Sequence, residues 1–347
     1  MIDSPHKPYQ RAVLFSGGGT RYGLYLGMYA ALKDLNLSPD LIIATCGGGI
    51  AASIINVFPT KEEQKKYIKS DELYQFVKQT KLTEQKSLFK LGLFSLRKIL
   101  ISKKAPFIED VLSKYLIELS QDIAELPSLK NISFENSNTI IIGSRLLFTK
   151  DDIGKPRNAK KLYRKVLFTN NKTARQINKE MIKTTSTNYI ESAVDNNMEI
   201  FDNFSMTEAM RISVSDMFYV KPYFKENDIY AGGAIDLMPI EIANHLAYEI
   251  ILEKKQIYKP IEEALVRAVL GFSGNTRLQE VSLSTPTFWI DTQDASQILR
   301  KHNLQKSINW LRFEINLKYP RSYQQFQNDM EAQWEYGYQQ TIKSIKP

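Results

Sequence analysis

Ala44-Thr45-Cys46-Gly47-Gly48-Gly49-Ile50 stands between an apolar run, Leu41-Ile42-Ile43, and a stretch of small and apolar residues, Ala51-Ala52-Ser53-Ile54-Ile55. Apolar run, glycines and second apolar stretch read in that order as a buried strand, a sharp turn and a helix. The chain has one cysteine, and it lies at this turn. A lone cysteine is ordinarily a small buried hydrophobe. A strand-to-helix turn among glycines is also where a nucleophile is presented to substrate. Both readings stand at this point.

A second unit of the same kind lies about thirty residues upstream. Ala12-Val13-Leu14-Phe15 reads as a short strand ending at Ser16-Gly17-Gly18-Gly19, and Leu24, Met28, Ala31, Leu32 and Leu35 follow at helical spacing. Two consecutive strand–turn–helix units imply a parallel sheet covered by helices. Ile140-Ile141-Ile142-Gly143-Ser144 reads as another central strand, and Thr207–Val214 as a helix. Residues 60–130 read as a polar, mostly helical cap. Residues 150–205, rich in Lys, Asn and Thr, read as a surface excursion, and from about 250 onward the chain reads as amphipathic helix with isolated strands. With no repeat, heptad or Ser/Gly linker, residues 1–347 are taken as a single domain. Its core segments are 10–60 and 205–245, its insertion about 60–205, and its helical C-terminal part about 250–347.

The 347 residues can bury a sizeable core, and 43% hydrophobic with 24% charged residues is ordinary for a soluble globular protein. One cysteine excludes an intrachain disulfide, and with three histidines it leaves little from which to build a metal site. No metal and no cofactor are expected. The formal net charge of +8 is uneven: residues 78–104 hold eight basic side chains and one acid, Glu84, and a second basic stretch runs from Lys150 to Lys165. Such fields attract phosphates on lipid headgroups or carrier-bound cofactors, and they are equally what a solvated face looks like. Nucleic acid finds no recognition motif here. The N-terminus lacks the apolar core of a signal peptide, and the uncharged run 41–60 is split by its glycines. The expected location is the cytoplasm, with peripheral contact with an anionic membrane left open.

Gly-rich loops before helices cradle anions. A dinucleotide fingerprint starting at Gly17 needs glycine where Tyr22 stands, and a phosphate loop starting at Gly18 needs lysine where Leu24 stands. The remaining use is an oxyanion hole, with the N–H groups of Gly17, Gly18 and Gly19 aimed at charge that develops during acyl transfer. Ala44, Thr45, Cys46, Gly47 and Gly48 supply the matching G-x-S-x-G-like elbow.

With these two loops the sequence resembles the patatin-like phospholipase family. SGGGTRYGLYLGMYAAL (16–32) is similar to the family's Gly-Gly-Gly-x-Arg/Lys-Gly motif at Gly17, Gly18, Gly19 and Arg21, with Tyr22 where the family usually has glycine. ATCGGGI is similar to its Gly-Thr-Ser-x-Gly-Ala-Ile at Thr45, Gly48 and Ile50, with Cys46 in the place of serine. A third stretch, EAMRISVSDMFYVKPYFKENDIYAGGAIDLMPIEIA (208–243), matches at Arg211, Ser213, Pro222, Gly232, Gly233 and Pro239. In the family the residue before Gly-Gly is the dyad aspartate. Here it is Ala231.

The resemblance implies a three-layer α/β/α fold with a mainly parallel central sheet, helical cap insertions and a helical C-terminal extension. It further implies an acyl hydrolase or acyltransferase on lipid-ester or acyl-thioester substrates, acting through a Cys46 acyl-enzyme. The Cys46 thiolate is expected to be favoured by the helix N-terminus behind it. Asp236, five residues after Ala231, reads either as a stand-in for the missing base or as the acidic or amide residue ordinary at that place in the family, while His245 reads as a surface or packing residue and Arg21 as a loop pin. The apolar and basic stretch Lys86–Ile101 reads either as an interfacial segment or as a cap helix packed on the core. The alternative function is an inert patatin-like protein that binds lipid or a protein partner.

Overall fold

The computed structural model describes residues 6–84, 105–119, 122–180, 182, 190–258, 260–302, 305–309 and 314–346. The stretch Lys86–Ile101 lies outside the described residues.

Both strand–turn–helix units are present. β1 (Tyr9–Ser16) leads through the glycine loop into α1 (Tyr22–Asp34), and β2 (Leu41–Thr45) leads through Cys46 into α2 (Gly47–Val57). A small antiparallel ribbon of β3 (Lys81–Leu82) and β4 (Ile117–Glu118) follows. Then come β5 (Thr139–Leu146), β6 (Tyr163–Phe168), β7 (Val194–Phe201), β8 (Tyr223–Lys225), β9 (Asp228–Ala231), β10 (Ala247–Lys254) and β11 (Phe288–Asp291). A second ribbon pairs β12 (Gln305–Asn309) with β13 (Glu314–Lys318), and the helix Tyr323–Ile345 follows.

The central sheet runs in the order β11-β10-β1-β2-β5-β6-β7, with β9 on β5 and β8 on β9. From β11 to β5 every pair is parallel. β6 and β9 run antiparallel to β5, and β7 is parallel to β6. Because Ser16 lies opposite Thr45, β1 and β2 end side by side. That register brings the glycine loop and Cys46 to the same edge, the carboxyl ends of the parallel strands, where open α/β sheets carry their sites.

Successive residues alternate between two cores, one on each face of the sheet. Val13, Phe15, Ile42, Ala44 and Ile251 pack on the face that holds α1 and α2. Ala12, Leu14, Leu41, Ile43, Ile250 and Leu252 pack on the other, with the helix Ile240–Leu246. Strands covered on both faces read as unbroken apolar runs, so β1 and β2 are conspicuous in the sequence. The architecture is the expected three-layer α/β/α, with a mainly parallel sheet.

Two segments differ from the expectation. Residues 150–205 are not only a surface excursion, because β6 and β7 are strands of the central sheet. Their charges disguise them: Lys165 is buried against Asp236, and Arg164 pairs with Asp195 and Glu199. Nor are the strands from 250 onward the isolated ones expected among helices. β10 lies directly beside β1, with β11 at the sheet's end. A short apolar run such as Ile250-Ile251-Leu252 carries no periodicity to tell strand from helix.

The C-terminal helix completes the layer over α1. A Cβ on Gly27 would fall 2.0 Å from the Trp334 carbonyl oxygen, and one on Gly337 would fall 2.0 Å from that of Leu24. Glycine on both helices lets the backbones touch, and α1 is buried around most of its circumference as a result.

Candidate active site

Cys46 sits between β2 and α2 with φ 50° and ψ −123°, a conformation that costs a non-glycine residue about 1–3 kcal/mol. The surroundings hold it there. Its N–H donates to Ser213 Oγ at 2.7 Å, and that hydroxyl donates to the Ile142 carbonyl at 2.6 Å. The Cys46 carbonyl accepts from Gly49 N–H at 2.8 Å, closing the first turn of α2. Gly48 is needed for packing: a Cβ there would lie 2.1 Å from the Phe15 carbonyl oxygen of β1. A Cβ on Gly47 would lie 2.3 Å from the Gly19 carbonyl oxygen, so glycine lets the backbones of the elbow and the glycine loop touch.

The glycine loop is fixed from below. Gly17 and Gly19 both have φ of 61°, which glycine adopts without strain. Tyr25 Oη donates to the Gly17 carbonyl at 2.7 Å, and Lys255 Nζ donates to the carbonyls of Ser16 and Gly17. Lys255 follows β10 and is held next to the buried Glu253, which accepts from the Ser16 and Thr292 hydroxyls at 2.7 and 2.6 Å and has Tyr25 Oη 3.0 Å away. Burial lowers the Lys255 ammonium from its ordinary value, and burial opposed by Lys255 and these hydroxyls leaves the Glu253 carboxyl lowered. Arg21 donates from Nε to the Gly18 carbonyl at 3.3 Å.

The N–H groups of Gly19 and Gly47 both reach the Cys46 sulfur. Gly47, the residue after the cysteine, was not singled out from the sequence; Gly19 was. The carboxylate that reaches the thiol is Asp216, which hydrogen-bonds it. Asp216 follows the helix Met206–Ser213, in the third stretch quoted above. Its Oδ1 accepts from Ala234 N–H at 3.0 Å, and Gly232 N–H donates to the neighbouring Ser215 carbonyl at 2.8 Å. Arg211 clamps the same loop, contacting Asp122 and Ser215 Oγ and donating to the Lys221 carbonyl at 3.2 Å.

Ala231 ends β9 opposite Ser144, fully buried, and offers only a methyl group. Asp236 is buried in an ion pair with Lys165, with Arg277 Nη2 at 3.6 Å from its other oxygen. His245 Nε2 lies 3.3 Å from Gln176 O and from Asn178 N, in a packing role.

The thiol is not favoured as thiolate. Burial pushes it well up from its ordinary value, and the Asp216 charge and hydrogen bond push it further; the Gly47 and Gly19 N–H groups pull it back only in part. The desolvation and the carboxylate outweigh the helix N-terminus. Cys46 nonetheless keeps partial solvent access, because it opens on a cavity of about 1230 Å³. Gly17–Arg21, Cys46, Asp216 and Lys255 line it, together with apolar side chains that include Phe76, Val77, Met217, Val269 and Phe272.

The glycine loop, the elbow and Asp216 fall in a segment with known relatives, while Glu253, Lys255 and part of the cavity wall lie beyond it. Residues 13–244 match the family model described as patatin-like phospholipase. The chain belongs to this family. No curated protein matches the chain, while ten chains of solved structures do. One is VipD from Legionella pneumophila, 12% identical over 97% of this chain and 67% of that one, with a TM-score of 0.34. Among the described residues of this patatin-like chain, no cluster of His, Cys, Asp and Glu could hold a metal ion, and no helix is long and apolar enough to cross a membrane.

Proposed function

We propose that this patatin-like protein is a cysteine-dependent acyl hydrolase or acyltransferase on lipid esters or acyl thioesters. One observation carries the reading: Cys46 stands on a strained elbow with two backbone N–H groups at its sulfur, in the lining of a largely apolar cavity. The sulfur attacks the acyl carbon, the carbonyl oxygen becomes an oxyanion, and the Gly19 and Gly47 N–H groups receive it. The alcohol or thiol departs with a proton, and water or a second acceptor then takes the acyl group. A cavity of about 1230 Å³ exceeds the ~300–1,000 Å³ usual for small ligands, which suits a long acyl chain. The setting proposed is the cytoplasm, with the substrate drawn from a membrane surface or from an acyl carrier.

A second reading, an inert protein that binds lipid or a protein partner, is favoured by the raised thiol and by Ala231. One experiment decides. The protein is incubated with p-nitrophenyl esters of graded chain length, acyl-coenzyme A and phospholipid vesicles, and its intact mass is followed. An acyl adduct on Cys46, absent in Cys46→Ala, is the expected result. No adduct and no hydrolysis with any of these probes overturns the proposal.

A further inference from the structure

We infer that Asp216 is the general base of this site, supplied by the loop after the helix Met206–Ser213 rather than by the strand end at residue 231. The inference rests on the acyl-transfer reading and adds a residue to it. Asp216 makes a hydrogen bond to the Cys46 thiol, so it touches a reacting atom.

The carboxylate is placed for this task by backbone on two sides. Ala234 N–H binds Oδ1, and the Gly232 N–H to Ser215 carbonyl bond ties the adjoining peptide to the Gly232–Gly233 turn. A carboxylate has about four acceptor sites on its two oxygens, so the Ala234 bond leaves capacity for a thiol proton. Gly232 also clears the space, since a Cβ there would lie 2.2 Å from Oδ1. The glycine pair at 232–233 thus places a carboxylate at the elbow although the residue before it is alanine.

A base is needed because the resting sulfur is a thiol. Around it stand Asp216 from its loop, Lys255 from the end of β10, and beyond Lys255 the charges of Glu253 and Arg21. The proton balance is complete without any other group. As the S–C bond forms, the thiol proton passes to Asp216 and the carbonyl electrons move to oxygen. When the oxyanion collapses, the C–O or C–S bond to the leaving group breaks and Asp216 returns the proton to it. In the second half, water gives a proton to Asp216 and attacks the thioester, and the departing sulfur takes that proton back.

The test uses Asp216→Asn and Asp216→Glu in the full chain, with p-nitrophenyl ester turnover and iodoacetamide alkylation of Cys46 as separate readouts. General-base loss lowers turnover by about 10²–10⁴-fold. Removing the negative charge also lowers the thiol pKa, so alkylation of Cys46 between pH 7 and 8 becomes faster in Asp216→Asn. Opposite signs for the two rates are the expected result, and a merely structural role would not give them. If the wild type forms acyl-Cys46 and Asp216→Asn turns over as fast, the assignment fails and the acyl-transfer reading stands. If the wild type forms no adduct and hydrolyses none of these probes, the acyl-transfer reading fails, and with it the base role. Should Asp216→Asn not fold, by far-UV circular dichroism, Asp216→Glu carries the test: its acidic limb of kcat against pH shifts, and an unshifted limb overturns the assignment.

Discussion

Asp216 fills the space that a side chain on Gly232 would need: a Cβ there would lie 2.5 Å from the Asp216 nitrogen and 2.7 Å from its Cα as well as 2.2 Å from Oδ1. Backbone cannot give way as a flexible side chain can. Gly232→Ala therefore displaces the Asp216 loop, and overpacking of this kind costs about 1–3 kcal/mol. The expected outcome is a fall in kcat of at least about tenfold with little change in KM, because the reacting pair moves by about an ångström and the acyl-binding walls do not. Steady-state kinetics on a soluble ester, beside thermal unfolding, checks it. Equal kcat with lowered stability would confine Gly232 to packing.

Lys255 is a positioning residue for the glycine loop. A trans peptide points its C=O and N–H in opposite directions, so holding the Gly17 carbonyl inward turns the Gly18 N–H the other way. Lys255→Met removes one of the two donors on that carbonyl, leaving Tyr25 Oη, and leaves Glu253 buried without its cation, which costs about 3–5 kcal/mol. Adding Glu253→Gln recovers much of that stability, because the uncompensated charge is gone. It does not recover kcat, because the ammonium that held the carbonyls of Ser16 and Gly17 is still missing. Urea unfolding and ester kinetics on the two variants separate the effects, and recovery of both together would show that Lys255 serves stability alone.

The two residues just discussed also mark what the sequence hides. β1, β2 and both turns were legible because strands covered on both faces are unbroken apolar runs and the turns need glycine for close approach. Lys255 was not, since β10 gives no period by which to recognise a strand beside β1. Asp216 stands in plain view in SVSDM, yet nothing in its spacing says that β8 and β9 fold back and set Gly232 against it. The resemblance directed attention to Ala231 and Asp236. Proximity in the folded chain, not distance along it, selects Asp216.

Gly27 and Gly337 make a prediction about the fold alone. The helix Tyr323–Ile345 lies beyond the family-matched segment 13–244, yet its backbone meets that of α1 through these two positions. Gly27→Val would drive a branched side chain into the Trp334 carbonyl with no rotamer to relieve it. A loss of at least about 3 kcal/mol is expected, at the upper end for overpacking, with the C-terminal helix detaching first. Hydrogen exchange checks the order: protection in 323–345 should fall before protection in β1 and β2. Uniform loss across the chain would mean that the helix and the sheet unfold as one unit.

The buried pair of Lys165 and Asp236 sets a response to acid. Burial alone would raise the Asp236 carboxyl, but the Lys165 and Arg277 charges outweigh it and leave it below its ordinary 3.8. A carboxyl depressed on folding contributes stability that is complete above the unfolded value and is lost as pH falls through the lower folded one. Unfolding free energy should therefore decline below about pH 4, and Asp236→Asn should flatten part of that slope. At pH 7 Lys165→Met leaves the carboxylate without its nearest cation and should cost about 3–5 kcal/mol, whereas pairing it with Asp236→Asn should restore part of the loss. Urea titrations of the four proteins at pH 7 and pH 3.5 measure all of this. A slope in Asp236→Asn equal to that of the wild type would mean that other carboxylates govern the acid limb.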